Sequence, residues 1–166
     1  PEPMPFRGVN LGVLICEDMW TAAATAALTE RGADLLLVLN GSPFEFDKPD
    51  VRLELARARV AEAGRPLAYV NLVGGQDELV FDGGSFVVGG DGQLVARLPQ
   101  FRSHVELVDV VLDGSSAPAD LIAPHLEGPE EIWEALVLGT RDYATKNGFT
   151  DVVIGLSGGV DSSIVA

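Results

Sequence analysis

Two short runs constrain the fold of this chain more than any other feature: "VNLGVLI" at residues 9–15 and "LLLVL" at residues 35–39. The first is of strand length and rich in β-branched side chains. The second shows no polar alternation, as expected for a strand covered on both faces. Between them, "CEDMW" and an alanine-rich stretch at residues 21–31, closed by Gly32, read as a tight turn and a helix. A strand, a turn, a helix and a second strand within 31 residues put this region in the α/β class.

Helical spacing returns at residues 49–63, with Val51, Leu55 and Val60 near one face and Gly64-Arg65-Pro66 as the stop. "LAYVNLV", "SFVV" and "LVARL" follow as strands, with Gly89-Gly90-Asp91-Gly92 as a hairpin turn between the last two. "HVELVDVVL", residues 104–112, adds a further strand, which gives a layered domain with a mixed sheet over residues 1–112. Residues 113–129 are loaded with Pro, Gly, Ser and Asp and read as a linker. A second unit, residues 130–166, opens with a helix over 130–147 whose period runs through Ile132, Leu136, Gly139 and Tyr143. "DVVIGL" is then expected as a buried strand leading into "GLSGGVDSS", residues 155–163.

Charge excludes some partners. A net charge of −14 repels nucleic-acid phosphates and anionic membranes, so neither is expected to bind. An anionic small ligand remains open to the chain, because converging backbone amides and a divalent cation create a local positive site. The single cysteine rules out an internal disulfide and fits a reducing compartment. No run is long enough to span a bilayer and no signal segment opens the chain, so a cytoplasmic protein is expected. Residue 1 is proline, and residues 162–166 read as the start of a longer helix. A segment of a longer polypeptide is therefore expected.

Two bends carry chemistry. In residues 155–163, glycines let N–H groups converge at the start of a helix, which suits an anion. The lysine of a Walker A loop is missing. Asp161 stands where it would hold Mg²⁺, and Ser157, Ser162 and Ser163 offer hydroxyls to phosphate oxygens. The alternative is an exposed turn with an Asp or Ser helix cap. Cys16, between a strand and a helix start, is placed as a nucleophile whose oxyanion the Glu17 amide would stabilise. The alternative there is a buried structural cysteine. His104 and His125 are too distant in sequence to rank as its partners.

"GVLICEDMW" resembles the nucleophile segment of the nitrilase, or carbon-nitrogen hydrolase, superfamily, and "NGSP" is similar to the loop after its next strand. "SGGVDS" resembles the pyrophosphate loop of the N-type ATP pyrophosphatases. "YVNLVGGQDELVFDGGSF", residues 69–86, is similar to the glutaminase domain of the glutamine-dependent NAD synthetases. A nitrilase-like half followed by a pyrophosphate loop is the domain order of that family.

The resemblance implies the C-terminal half of a nitrilase-like αββα sandwich, followed by the first helix, strand and phosphate loop of a doubly wound parallel-sheet domain. It implies Cys16 as nucleophile, the Glu17 amide as oxyanion donor, and Trp20, Ser42 and Lys48 lining a glutamine pocket. Acidic Glu45 and Asp47 beside Lys48 would compete with substrate for its charge. Without the resemblance, Trp20 reads as a core aromatic, Ser42 as a turn residue and Lys48 as a solvated charge. Gly155, Leu156, Ser157, Gly158, Gly159, Val160, Asp161 and Ser162 would wrap ATP phosphates, with Asp161 as the Mg²⁺ ligand. Glutamine, ATP and deamido-NAD are the implied substrates, with ammonia passed through a tunnel, and a homo-oligomer is expected of the full-length protein. The family's general-base glutamate and its lysine precede the cysteine in a region this segment lacks, so the isolated segment is expected to be inactive. A plain nitrilase-type amidase and a non-catalytic remnant are the competing readings.

Overall fold

The computed structural model describes residues 1–46, 48–119 and 121–166. Its centre is built from alternating strands and helices: β2 (Val9–Ile15), α1 (Ala22–Glu30), β3 (Leu35–Asn40), α2 (Lys48–Ala63) and β4 (Leu67–Asn71). β2, β3 and β4 pair in parallel, with Ile15 opposite Leu39 and Asn40 opposite Asn71. Parallel neighbours need a crossover, and α1 and α2 supply the two. Both helices lie on one face, where Leu28, Ala56 and Val60 pack against Leu14, Leu36, Val38, Leu67 and Tyr69. The Tyr69 ring stacks on Phe86, at 4.8 Å between centroids.

β1 (Met4–Phe6) pairs antiparallel with β2, and β7 (Phe86–Val88) pairs antiparallel with β4 and with β8 (Leu94–Arg97). The 89–92 turn joins β7 to β8 as expected, with the Gly92 N–H donating to the Gly89 carbonyl. β9 (Leu121–Ile122) adds in parallel beyond β8, so the sheet runs β1-β2-β3-β4-β7-β8-β9. A separate ribbon, β5 (Val73–Gln76) with β6 (Leu79–Asp82), leaves the end of β4. α3 (Gly128–Lys146) packs on that ribbon, and α4 (Val160–Val165) closes the chain.

Several expectations change. Residues 35–39 are covered on one face: Leu36 and Val38 are buried while Leu39 is 47% exposed. Ile15, Val70 and Leu72 are exposed beside it, because the crossover helices both lie on the opposite side. Residues 104–112 pair with no strand among the described residues; Val108 and Val110 pack on Val87, Val95 and Ala96, while Val105 and Leu107 stand in solvent. Residues 151–156 also enter no ladder, and Val153 is 99% exposed. An extended segment becomes a strand only where a neighbour accepts its N–H and C=O groups. The segment expected as a linker lies along the sheet edge: Ala123 exchanges hydrogen bonds with Arg97, and the Leu126 N–H donates to Gln100.

The helix faces are also rotated from the expected ones. α2 turns Arg52, Ala56, Arg59 and Val60 inward and leaves Val51 exposed. α3 buries Glu131, Ala135 and Leu138 and leaves Ile132, Leu136 and Tyr143 exposed. Small residues decide the second case. A Cβ on Gly75 would lie 2.9 Å from the Gly139 Cα, so ribbon and helix meet backbone to backbone. Among the described residues no helix is long and apolar enough to cross a membrane.

Candidate active site

Cys16 begins a 3₁₀ turn, Cys16–Trp20, directly after β2. Its φ is 51°, in the left-handed region that residues with a Cβ seldom occupy. Such strain persists only where the surroundings hold it, and it clusters at functional positions. Here the Asp18 carboxylate accepts the Ile15 N–H at 2.9 Å, and Met19 is driven into the core. Arg59 reaches from α2 to the Met19 carbonyl at 3.4 Å. The thiol is half-buried. Glu17 is exposed, and its N–H belongs to the first turn, where no intrahelical acceptor exists. Trp20 is 47% exposed and is not a core aromatic.

The loop after β3 is held from all sides. The Ser42 N–H donates to Asn71 Oδ1 at 3.0 Å, and the Ser42 carbonyl accepts from Asn71 Nδ2 at 3.3 Å and Arg52 Nη2 at 3.0 Å. Arg52 Nη2 also donates to Ser42 Oγ and to the Pro43 carbonyl, at 3.1 and 2.9 Å. Arg52 Nη1 meets both Asp82 oxygens, at 2.9 and 2.8 Å, and both side chains are almost fully buried. The fifth guanidinium N–H, at Nε, faces no acceptor among the described residues. A neighbouring cavity of about 20 Å³, lined by Arg52, Asp82 and His125, is the size of one water.

Tyr69 lies beneath this loop. Burial pushes its phenol above the usual range, against the lowering effects of Arg52 and of a hydrogen bond from Ser42, while Asp82 and Cys16 add to the rise. Tyr69 therefore stays protonated and available as a donor at neutral pH. Lys48, at the start of α2, pairs with Glu45, and that contact holds the Glu45 carboxyl below its ordinary range. The competing ion pair foreseen for Lys48 is present. Asp47 lies outside the described residues.

The second bend differs. Residues 155–159 are exposed, and Gly158 has a φ of +81°. Ser157 Oγ and Ser162 Oγ pair at 3.0 Å, the Gly159 N–H donates to Ser157 Oγ, and Ser163 Oγ donates to the Gly159 carbonyl at 2.8 Å. The hydroxyls read as phosphate ligands are thus satisfied by their own loop. Asp161 is exposed, and among the described residues no three His, Cys, Asp or Glu side chains gather into a metal site. One carboxylate suffices for Mg²⁺ when phosphate oxygens and water complete the shell.

Residues 2–117 match the carbon-nitrogen hydrolase profile. The chain belongs to the carbon-nitrogen hydrolase family. Residues 132–166 match the NAD synthase profile. The chain is similar to the glutamine-dependent NAD(+) synthetase of Rhodobacter capsulatus, with 46% identity over 99% of this chain and 30% of that protein. The glutamine-dependent NAD+ synthetase of Acinetobacter baumannii, solved with ADP, superposes with a TM-score of 0.87 at 38% identity, over 97% of this chain and 31% of that one. An amidase from Nesterenkonia sp. AN1, solved with acrylamide added at its active-site cysteine, gives a TM-score of 0.51 at 37% identity over 58% of this chain and 37% of its own. This carbon-nitrogen hydrolase chain spans about a third of the length of the curated relatives it matches.

Reading the sequence alone passes over four groups of this site: Arg52, Arg59, Asn71 and Asp82. The signal for the arginines was present. They stand seven residues apart on the stripe that also carries Ala56 and Val60, and a charge on an apolar helical stripe is a buried, partnered charge.

Proposed function

We propose that this chain supplies the thiol turn of a glutaminase and the phosphate loop of a synthetase within a glutamine-dependent NAD synthetase. The observation that carries the reading is the strained Cys16 at the end of β2, in the same chain as a glycine-rich loop that opens a helix. Support comes from the match to the carbon-nitrogen hydrolase profile and then the NAD synthase profile, in that order. An amidase alone accounts for residues 2–117 and leaves residues 132–166 unexplained.

In this reading Cys16 Sγ attacks the carboxamide carbon of glutamine, and the Glu17 N–H donates to the oxyanion. The C–N bond breaks, ammonia leaves, and water cleaves the thioester to release glutamate. Trp20 on the thiol turn, Ser42, and Lys48 facing the substrate α-carboxylate shape the pocket; Lys48 then exchanges Glu45 for the ligand. At the second site the carboxylate of deamido-NAD displaces pyrophosphate from ATP, and ammonia displaces AMP to form NAD. Residues 155–162 hold the ATP phosphates, and Asp161 holds Mg²⁺, which supplies neutralisation of phosphate charge when bound. Ammonia passes between the sites within the protein, and the full-length protein is a cytoplasmic homo-oligomer.

The test uses the full-length gene product. Cys16→Ala is expected to lower glutamine-driven NAD formation by roughly 10³-fold or more, while added ammonia still supports turnover. Loss of both routes together would mean that the cysteine is structural.

A further inference from the structure

We infer that Arg52 and Asp82 form a clamp that positions Ser42 and Pro43 beside the Cys16 thiol and thereby sets the affinity for the amide substrate. This rests on the reading of Cys16 as the nucleophile.

A buried ion pair is weak evidence for stability, since apolar residues of the same shape serve a core as well or better. What the Arg52 and Asp82 pair does is geometric. The guanidinium fork is used on both sides: Nη1 takes the two Asp82 oxygens, and Nη2 takes the Ser42 carbonyl, the Ser42 hydroxyl and the Pro43 carbonyl. None of these acceptors belongs to α2, so the arginine spans from its helix to the end of β6 and to the loop after β3. Asn71, at the end of β4, closes the frame by accepting the Ser42 N–H and donating to the Ser42 carbonyl, Asp82 and the Gly83 carbonyl. Every polar backbone atom of Ser42 is engaged.

The clamp also adjoins the thiol. Ile15 is opposite Leu39 in the parallel ladder, so Cys16 and the loop that begins after Asn40 leave neighbouring strands at the same end of the sheet. Tyr69, 2% exposed, stands opposite Val38 in the adjoining ladder, near the same end of the sheet. A displaced Ser42 therefore shifts the loop that leaves the sheet beside the thiol turn. Arg52 and Asp82 touch no substrate in this account; they are positioning residues.

Arg52→Lys keeps the charge and loses the fork. In the full-length gene product it is expected to raise KM for glutamine about tenfold, with kcat at saturating glutamine and the ammonia-driven rate within about twofold of wild type. Asp82→Asn keeps the shape and is expected to shift KM in the same direction by less. A KM within about twofold of wild type in Arg52→Lys, or a fall in the ammonia-driven rate equal to that in the glutamine-driven rate, overturns the clamp. If Cys16→Ala retains glutamine-driven turnover, the nucleophile reading fails; if Cys16→Ala is inactive with glutamine and KM in Arg52→Lys is unmoved, the clamp fails alone. Should either variant not fold, hydrogen exchange on the wild-type protein decides. The Ser42 amide is expected to exchange as slowly as that of Leu36 in β3, and exchange at the rate of an open loop overturns the proposal.

Discussion

Around Cys16, the five-residue turn is held by Arg59, which reaches from α2 to the Met19 carbonyl, and the adjoining loop is framed by side chains from three elements: Arg52 of α2, Asn71 of β4 and Asp82 of β6. Residues 155–163 make a bend of the same kind, from an extended segment into a helix, yet among the described residues their side-chain hydrogen bonds run only between Ser157, Gly159, Ser162 and Ser163. The difference separates two ways of building a site. The loop beside the thiol turn has its geometry determined by buried partners before any ligand arrives. The loop proposed to take phosphate holds itself by hydroxyl pairs that a ligand of higher charge can replace, since charge-assisted hydrogen bonds are stronger than neutral ones.

That comparison can be broken in several ways. Asp161→Asn removes the one carboxylate of the open loop, and in the full-length protein it is expected to slow glutamine- and ammonia-driven turnover alike by roughly 10²-fold or more. An unaffected ammonia route would remove Asp161 from the phosphate site. Next in size is ligand protection. With ATP at about 100 times its Kd, amides at 155–159 are expected to exchange about 10²-fold more slowly, while those of Leu36 and Val38 stay unchanged; equal protection in both regions would erase the distinction.

The joint between the two regions gives smaller effects. Gly75→Ala forces a Cβ to 2.9 Å from the Gly139 Cα, and backbone on one side and helix on the other leave it little room. Thermal or denaturant unfolding is expected to show a loss of about 1–3 kcal/mol, and a neutral result would mean that ribbon and α3 do not meet in solution.

The smallest effect is that of acid. Burial raises the Asp142 pKa, but the Gly75 N–H at 2.8 Å and Lys146 outweigh it, so its folded value lies below the usual one. A depressed carboxyl contributes stability that is complete above the unfolded value of about 3.9 and fades as pH falls through the folded value. Asp142→Asn is expected to abolish that part of the acid dependence and leave stability near neutral pH lower than wild type. An unchanged pH profile would remove Asp142 from the joint.

Much of this was legible in the residues. The crossover unit from β2 to β4, the 89–92 hairpin turn and the start of α4 follow from apolar runs, glycines and helix stops whose influence is local. Cys16 and Asp161 stand out in the residues as candidates because of the bends that carry them. The β5–β6 ribbon was not, because "VGGQDELVFD" contains two glycines and three acids and no clear alternation. Nor was β1, whose "MPF" is too short to signal anything.

Residues 104–112 and 151–156 teach the converse. Their β-branched character promises strands, and a strand also needs an open edge to pair with, which neither segment meets among the described residues. Local backbone preference and composition set the strand–helix–strand order from β2 to β4, the two bends and the acidic charge. It was folding that brought Arg52 to Asp82 across 30 residues, Asn71 to Ser42 and Gly75 to Gly139. Such pairings arise where separate elements converge in a dry interior, and there each buried polar group must find a partner that no local pattern names.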